Sequence, residues 1–393
     1  MEFKAIQYEE YPWHSTFDTD LLSRRQRKLL IDKYKAALPC KIEKSNFPIN
    51  SEFQAEIDDA IILATRFDEM IKSKGYNIPA VMLRSESASS SQIENLTASA
   101  KNIAIAELGD KAPKNSHIIA NNISAMKAAI SIDSKINFNL IMEIHKTLLS
   151  KTNTNIAGKI REQQVWIGGN SISPRNASFV PPHSKHIKAY LADWINFSNR
   201  INLNPIVLVA VSHAQFETIH PFEDGNGRTG RALMQRILKN NGIFKNSSLP
   251  ISVGLLNKIN AYYSALDDFH DGNYIPIVKE ITAGIIFAVQ VGSKMIAKID
   301  DIMDNWKSNI KAKKSSNVWL LIDVLVENPV VDAKFVSEKL GLSLKSAYNI
   351  LQDAHKFGIL KFIGKVNQNM KFEAADITGL IDDVMSGKWM RRG

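Results

Sequence analysis

The chain has 393 residues, of which 45% are hydrophobic and 23% charged, a globular composition that argues against a disordered or fibrous protein. At about 150 residues per domain, this length predicts two to three domains. The 49 basic and 40 acidic residues give a net charge of +9, which suits phosphate-bearing ligands or nucleic acid without establishing either. The single cysteine, Cys40, excludes an intrachain disulfide and a cysteine-based zinc site.

The N-terminal segment MEFKAIQYEE contains glutamates and no apolar stretch, so it does not predict a secretory signal. No uncharged apolar run reaches about 18 residues, the length that a membrane-spanning helix needs. We therefore expect a cytoplasmic protein that does not bind a membrane.

Hydrophobic periodicity predicts a mainly helical chain. The predicted helices cover 52–74, 138–150, 188–199, 205–218 and 277–299. The helix at 205–218 carries little charge, so we expect it at the centre of a bundle. Strand signals are few, and one of them, at 164–167, precedes two glycines and predicts one arm of a hairpin.

A separate small domain is predicted after the lysine- and serine-rich stretch at 306–317. Its predicted elements are three helices at 318–327, 332–340 and 343–357 and two strands at 359–363 and 370–374. Ser343 is the expected N-cap of the third helix, while Gly341 and Gly358 end the second and the third. This order is typical of a winged helix-turn-helix domain.

The segment at 220–231, HPFEDGNGRTGR, separates two apolar helical runs. Gly225, Asn226 and Gly227 allow a tight turn before a helix N-terminus, whose free N–H groups and dipole bind phosphate oxygens. Arg228 and Arg231 add positive charge that can contact phosphate with two hydrogen bonds each. These residues predict an anion cradle.

The same segment carries a metal ligand and a base. Asp224 offers the hard oxygen ligands that Mg²⁺ prefers, and His220 is placed where a general base could deprotonate a hydroxyl. For GNG alone, a glycine-rich turn with solvated charges would be the better interpretation. Twelve suitable residues in order instead favour a loop for nucleotidyl or phosphoryl transfer.

The segment HPFEDGNGRTGR resembles the HxFx(D/E)GNGRxxR signature of Fic proteins and not the ANK version of the related Doc kinases. Every fixed position is filled, by His220, Phe222, Asp224, Gly225, Asn226, Gly227, Arg228 and Arg231. The resemblance covers roughly residues 80 to 290. It implies a Fic-type helical bundle with a small β-hairpin flap.

The resemblance also implies a domain organisation. An N-terminal helical region would cover 1–115, the Fic catalytic core 116–300, a linker 301–317 and the winged helix-turn-helix domain 318–393.

The segment at 158–179, GKIREQQVWIGGNSISPRNASF, is similar to the flap that lies over the site of Fic enzymes and holds the target in extended form. The resemblance implies target contacts for Val165, Trp166, Ile167 and Gly168. An ordinary surface hairpin is the alternative.

The segment at 83–96, LRSESASSSQIENL, resembles the (S/T)xxxE(G/N) inhibitory helix, with Ser90, Glu94 and Asn95 in register. The resemblance implies a helix near 86–105 that places Glu94 against Arg231, so that ATP binds in an unproductive orientation. A serine-rich helix N-terminus without a regulatory role is the alternative.

The implied reaction transfers AMP from ATP to a Tyr, Thr or Ser hydroxyl of a protein, with Mg²⁺ and release of pyrophosphate. His220 would be the base, and Asp224 would hold Mg²⁺. Tyr262 and Asn257 are the candidates for contact with the adenine of ATP. The full implied ATP-binding set is Gly225, Asn226, Gly227, Arg228, Thr229, Gly230, Arg231 and Asn257.

Several alternatives stay open. A Fic fold could transfer another phosphate group or remove AMP from its targets. The chain could instead be a DNA-binding regulator, although the helix at 343–357 carries Lys345 and Lys356 without an arginine, which is thin for phosphate neutralisation. Protein contacts or dimerisation would be another role for that helix. The target is not identified and could be the chain itself.

The remaining histidines have simpler interpretations. His213 lies seven residues before His220 on the same helix and is expected in the core or behind the site, and His183 and His186 have no metal partner in the sequence pattern.

Overall fold

The computed structural model describes residues 2–15, 18–131, 134–366 and 369–388, and it shows a mainly helical chain with small antiparallel sheets. The N-terminal part contains β1 (Gln7–Pro12), α1 (Arg24–Arg27), β2 (Lys33–Leu38), α2 (Ser51–Lys72), α3 (Ile78–Ile93), α4 (Ala100–Glu107) and α5 (Lys114–Ser131). The central part contains α6 (Phe138–Leu149), α7 (Ile187–Ser198), α8 (Pro205–Ile219), α9 (Asn226–Asn240), α10 (Ile251–Asn257), α11 (Ile259–His270) and α12 (Ile275–Asn309). The C-terminal part contains α13 (Val318–Glu327), β3 (Val330–Val331), α14 (Ala333–Leu340), α15 (Leu344–Lys356), β4 (Lys361–Val366), β5 (Asn369–Glu373) and α16 (Ala375–Met385).

Helix α8 lies at the centre of the bundle, as its low charge predicts. Asn204 caps its N-terminus by accepting a hydrogen bond from the N–H of Ile206 at 2.9 Å, and Pro205 follows at the first helical position. Almost every residue of α8 is buried, because α7, α9 and α12 pack around it. The two ends of the turn between α8 and α9 are therefore fixed by the core.

The predicted helices at 52–74, 138–150, 188–199 and 205–218 are present as α2, α6, α7 and α8. The helix predicted at 277–299 is longer, and the predicted linker at 301–317 begins inside it. The reason is that its apolar stripe continues through Met303 to Trp306, which is buried and donates from Nε1 to Asp376 at 2.9 Å.

Helix α12 is the one helix of the described ranges that is long and apolar enough to cross a membrane. Half of its most apolar window is buried against other helices, as in the core helix of a globular domain.

A sheet in the N-terminal part was not predicted, since 1–115 was expected to be helical. β1 and β2 pair antiparallel from Gln7 opposite Leu38 to Pro12 opposite Lys33. The two strands are separated by 20 residues, whereas the signal that marks such a pair in a sequence is a turn of two to five residues. The N–H of Ala37 donates to Val180 at 2.9 Å, so the sheet supports the chain that returns from the flap.

Helix α3 begins and ends earlier than the predicted range 86–105. Asn77 caps its N-terminus by accepting from the N–H of Ala80, and a proline follows in the first turn. Asn95 has a left-handed φ of 59°, and the N–H of Leu96 donates to Ser91 at 3.0 Å, which ends the helix. Glu94 is thus the C-cap of α3, and α4 is a separate helix.

Residues 318–388, called the C-terminal module below, contain a sheet of order β3-β5-β4. The elements follow the order of the predicted winged helix-turn-helix, with β3 and α16 in addition. The strands predicted at 359–363 and 370–374 lie at Lys361–Val366 and Asn369–Glu373, and residues 367 and 368 between them lie outside the described residues. Ser343 caps α15, and Gly341 ends α14 in the left-handed conformation.

Candidate active site

The turn between α8 and α9 places a histidine beside a helix N-terminus. His220 is the C-cap of α8 with a left-handed φ of 49°, a conformation that costs energy in a residue with a side chain. Gly225 adopts φ 80° as the N-cap of α9, which begins at Asn226. Four residues therefore separate His220 from the N-cap of the helix whose N-terminus was predicted to bind phosphate.

His220 is held as a neutral base. Its Nδ1–H donates a hydrogen bond to the backbone carbonyl of Glu217 at 3.2 Å, so Nε2 carries the free lone pair that can accept a proton. Burial lowers the pKa of His220 to about 4, so the imidazole is neutral at pH 7. A neutral imidazole that borders a cavity meets the requirement for a general base.

The turn is braced from inside by Asn226. Its Oδ1 accepts from the N–H of Phe222 and its Nδ2 donates to the carbonyl of Phe222, both at 2.9 Å. Both the oxygen and the nitrogen of the Asn226 amide are thus bonded to the backbone of Phe222, four residues earlier in the turn. The ring of Phe222 is fully buried, which anchors the turn in the core.

A second brace comes from His145 of α6, which the sequence did not single out. Its ring stacks on Phe222 with 3.6 Å between the centroids. Its Nε2 bonds the carbonyl of Asp224 at 2.9 Å, and its Nδ1 accepts from the N–H of Gly158 at 3.0 Å. Burial lowers the pKa of His145 to about 4, in keeping with a neutral ring that donates from one nitrogen and accepts at the other.

A carboxylate occupies the N-terminus of α9. A Cβ added to Gly227 would lie 2.1 Å from Oε1 of Glu94 and 2.9 Å from Nη1 of Arg231. Only glycine at this position lets the carboxylate reach the first turn of the helix, where the free N–H groups and the dipole favour negative charge. Glu94 therefore lies where an anion such as a phosphate would bind.

Arg231 is bound on three sides by α3. Its Nε donates to Oγ of Ser90 at 2.9 Å, and its Nη2 donates at 2.8 Å both to the carbonyl of Ser90 and to Oε1 of Glu94. Burial alone would raise the pKa of Glu94, but the charge of Arg231 lowers it overall. Burial alone would likewise lower the pKa of Arg231, but the negative charge of Glu94 raises it overall. Both groups are thus ionised, and the guanidinium is engaged.

Asp224 is the carboxylate best placed for a metal ion. Its side chain is 57% exposed, and one oxygen accepts from Nη2 of the buried Arg228 at 3.2 Å. In the described ranges, no group of three or more His, Cys, Asp or Glu side chains could hold a metal ion. Mg²⁺ is commonly bound by one or two carboxylates together with substrate phosphates and water, so a single aspartate beside an anion site fits this ion.

A cavity of about 570 Å³ joins these groups to the flap and to α11. The predicted site residues that line it are Glu94, Trp166, Ile167, His220, Asp224, Gly225, Asn226, Gly227 and Arg231. The predicted residues that do not line it are Ser90, Val165, Gly168, Arg228, Thr229, Gly230 and Asn257. Asn257 is exposed at the end of α10, whereas Tyr262 does line the cavity.

Thr229 and Gly230 face the core instead of the cavity. Both are buried in α9, and a Cβ on Gly230 would lie 2.7 Å from Oε1 of Glu217 and 3.2 Å from Phe216. Gly230 therefore permits the close approach of α8 and α9. Their predicted place in a phosphate cradle, which is through the backbone, stays a prediction.

The flap is less regular than the hairpin arm predicted at 164–167. A single bridge joins Ile167 to Phe179, with the N–H of Ile167 donating to the carbonyl of Phe179 at 2.8 Å. Gly168 follows with φ 75°, and Ser178 comes so close that a side chain there would clash. The flap contains a pair of glycines and three prolines. Proline has no N–H to donate to the hydrogen bonds between strands, and glycine weakens a strand, so the paired region is short.

Arg161 ties the flap to the turn around His220, a role that no sequence pattern indicated. The side chain is buried and donates from Nε to the carbonyl of His220 at 2.8 Å and from Nη2 to Pro182 at 2.6 Å. Its own N–H donates to Pro221 at 3.0 Å. One arginine thus connects both ends of the flap to the segment around His220.

A buried polar group lies behind Arg231. Nε2 of His213 bonds the hydroxyl of Tyr262 at 2.7 Å, and Tyr262 also interacts with Arg231. Burial raises the pKa of Glu217, which borders the cavity, to about 7. The expected core position of His213 is confirmed. Glu217 was not predicted as a site residue, and the sequence signal for it is its position three residues before His220.

Comparison with known proteins places this site in a family context. The model of the Fic/DOC family matches residues 135–238. Protein adenylyltransferase fic-1 from Caenorhabditis elegans is 29% identical over 223 residues, which cover 54% of this chain and 41% of that protein. Protein adenylyltransferase Fic from Drosophila willistoni is 30% identical over 144 residues, which cover 36% of this chain and 26% of that protein. The chain therefore spans less than half the length of these curated relatives.

Among solved structures, a Fic family protein from Desulfovibrio desulfuricans G20 superposes with a TM-score of 0.52 at 18% identity. The match covers 84% of this chain and 97% of that chain, so the likeness in fold extends beyond the catalytic segment.

Proposed function

We propose that the chain is a self-inhibited protein adenylyltransferase, starting from the match of residues 135–238 to the model of the Fic/DOC family. The observation that carries the proposal is the neutral His220 beside the N-terminus of α9, with Arg231 in the same cavity. The names of the relatives support the reaction, and the geometry supports the roles of the residues.

In the proposed reaction, a Tyr, Thr or Ser hydroxyl of a protein attacks the α-phosphorus of ATP. A new bond forms between the hydroxyl oxygen and phosphorus, the bond from the α-phosphorus to the bridging oxygen breaks, and pyrophosphate leaves. Nε2 of His220 takes the hydroxyl proton. The turn positions the reacting groups and its N–H groups stabilise the charge that develops on the phosphate oxygens.

Asp224 would hold Mg²⁺, which supplies charge neutralisation to the phosphates when it is bound. Arg228 keeps the Asp224 carboxylate at the edge of the cavity through their ion pair. The flap residues Trp166 and Ile167 border the same cavity, so an extended target segment there would bring its hydroxyl towards His220.

The proposed inhibition follows from the contacts of Glu94. A carboxylate on the first turn of α9 repels a phosphate that approaches the same N–H groups, and it occupies the guanidinium of Arg231. ATP could then bind only with its terminal phosphate elsewhere. Removal of the carboxylate restores the anion site without changing His220 or Asp224.

A labelling experiment tests this function. Glu94→Gly protein is incubated with a cell lysate and with ATP labelled on either the α- or the γ-phosphate, with His220→Ala as the control. We expect more label than with His220→Ala, on proteins that include the chain itself, from α-labelled ATP alone, because kinases of the lysate add equal γ-label to both samples. An excess of γ-label over the His220→Ala sample would show phosphoryl transfer and refute the assignment, as would equal α-label with His220→Ala.

A further inference from the structure

The helices that flank Glu94 lie between the catalytic bundle and the C-terminal module. Helix α3 packs against α5, α9 and α10 on one side and against α13 and α16 on the other. We propose that the C-terminal module clamps the segment formed by α3 and α4 and thereby holds Glu94 on Arg231. This clamp rests on the inhibition proposed above, and it gives the C-terminal module a function inside the chain.

The contact nearest to Glu94 comes from α16. Oδ1 of Asp382 accepts from the N–H of Ala100, the first residue of α4, at 2.7 Å. A carboxylate at this position satisfies a free N–H group and interacts favourably with the helix dipole. Five residues separate Glu94 from Ala100, so Asp382 fixes the chain directly after the inhibitory carboxylate.

A second contact links the sheet of the module to the end of α4. Nζ of Lys371 lies 2.5 Å from Oδ2 of both Asp110 and Asp332, and all three side chains are at most 9% exposed. Asp332 belongs to the module, whereas Asp110 follows α4. Breaking a buried ion pair by removing one partner is strongly destabilising, so this pair resists separation of the two parts.

A third contact holds the middle of α3. Arg84 pairs with Glu107 of α4 at 2.8 Å and also donates from Nη1 to the carbonyl of Glu327, the last residue of α13. Beside it, Ala104 and Ile105 of α4 pack with Val330 of β3 in a small apolar cluster. Helices α3 and α4 are thus joined to each other and to three elements of the module.

The opposite face of α3 is anchored on the catalytic bundle by Glu86. Its carboxylate accepts from the N–H of Ser252 at 2.8 Å and from the hydroxyl of Ser252 at 2.7 Å, at the start of α10. The module is therefore one of two supports, and weakening it should loosen α3 without unfolding the bundle.

The charge of the C-terminal module argues against DNA binding as its function. Residues 318–393 contain ten lysines and arginines and nine aspartates and glutamates, a net charge of +1. Lys371, one of these bases, is buried in the contact with α4. Phosphate neutralisation needs a cluster of available basic side chains, which this balance does not favour.

The test uses the full chain with the double change Asp110→Asn and Asp382→Ala. The first change leaves Lys371 paired with Asp332, and the second removes the carboxylate that accepts from the first N–H of α4, while Ser99 remains its N-cap. The matched control is Asp383→Ala, because Asp383 is the neighbour of Asp382 on α16 and pairs only with Lys388 among the contacts described. Each protein is assayed for incorporation of α-labelled AMP and for amide hydrogen exchange at 78–107.

We expect the double change to raise both self-modification and hydrogen exchange at 78–107, with Asp383→Ala unchanged. Loss of a hydrogen bond to a charged carboxylate predicts at least a fivefold gain, since fivefold corresponds to about 1 kcal/mol. The gain should vanish in the Glu94→Gly background, where no inhibition is left to relieve.

Faster exchange without a gain in AMP transfer, while Glu94→Gly is active, would overturn the clamp. Unchanged exchange would overturn it as well, because these contacts would then not hold the segment. An inactive Glu94→Gly protein would instead refute the inhibition itself, so the two failures are distinguishable.

Discussion

The turn at 220–231 and the segment at 78–107, which are the proposed catalytic and inhibitory elements, meet at Arg231, but they are held in different ways. The turn is braced by bonds within itself and by its neighbour α6, as the contacts of Asn226 and His145 show. The inhibitory segment is held largely by remote partners, among them Asp382, which is 282 residues away from Ala100. The difference indicates that the turn is held close to its own residues, whereas the position of the segment at 78–107 depends on the C-terminal part of the chain.

The largest expected effect is the loss of the base in the catalytic turn. His220→Ala in the Glu94→Gly background should lower AMP transfer by about 10²- to 10⁴-fold, the usual contribution of general acid–base catalysis. ATP affinity, measured by calorimetry, should change little because the imidazole acts on the hydroxyl. Near-normal transfer by this variant would exclude His220 as the base.

The second effect concerns the metal ligand. Asp224→Ala should lower Mg²⁺-dependent AMP transfer by about a hundredfold or more. The reason is that a bound metal ion lowers the free energy of the charged transition state by several kcal/mol. Glu223→Ala is the matched control, since Glu223 is the adjacent acid and also borders the cavity. Rates are compared across a Mg²⁺ titration. A similar loss in both variants, or full activity of Asp224→Ala in chelator, would contradict the assignment.

A smaller effect measures the internal brace. Asn226→Ala leaves the N–H and the carbonyl of Phe222 without their partner, at a cost of about 1–3 kcal/mol for each buried group. Asn241→Ala is the control, because Asn241 donates one partly buried bond at the other end of α9. Urea unfolding should show the larger loss for Asn226→Ala. Equal losses would mean that the turn does not rely on its own bonds.

The sequence predicted the parts of the molecule whose signals are local. A Fic family structure that matches 84% of this chain confirms the mainly helical Fic-type fold. The low charge of residues 205–218 correctly predicted that α8 is the central helix. The motif placed His220, Asp224 and Gly227 together because they lie within one turn. Their catalytic roles stay predictions.

The sequence did not predict the contacts that involve backbone atoms or distant residues. Arg161 binds the carbonyls of His220 and Pro182, and a carbonyl carries no side-chain signature. Lys371 and Asp110 are far apart in the sequence, and they pair because the sheet of the C-terminal module packs against the end of α4. Asn257 was assigned to the adenine side by position alone, and it is exposed outside the cavity because α10 ends there.

The central claim is that Glu94 restrains the enzyme by occupying Arg231. AMP incorporation from α-labelled ATP is measured for wild type, Glu94→Gly, Arg231→Ala and the double variant, with folding checked by circular dichroism. If about 1% of molecules are open in the wild type, Glu94→Gly should gain up to about a hundredfold, which corresponds to about 2.7 kcal/mol, and the double variant should lose that gain. Equal rates for folded wild type and Glu94→Gly at saturating ATP, or a gain that persists without Arg231, would contradict the claim.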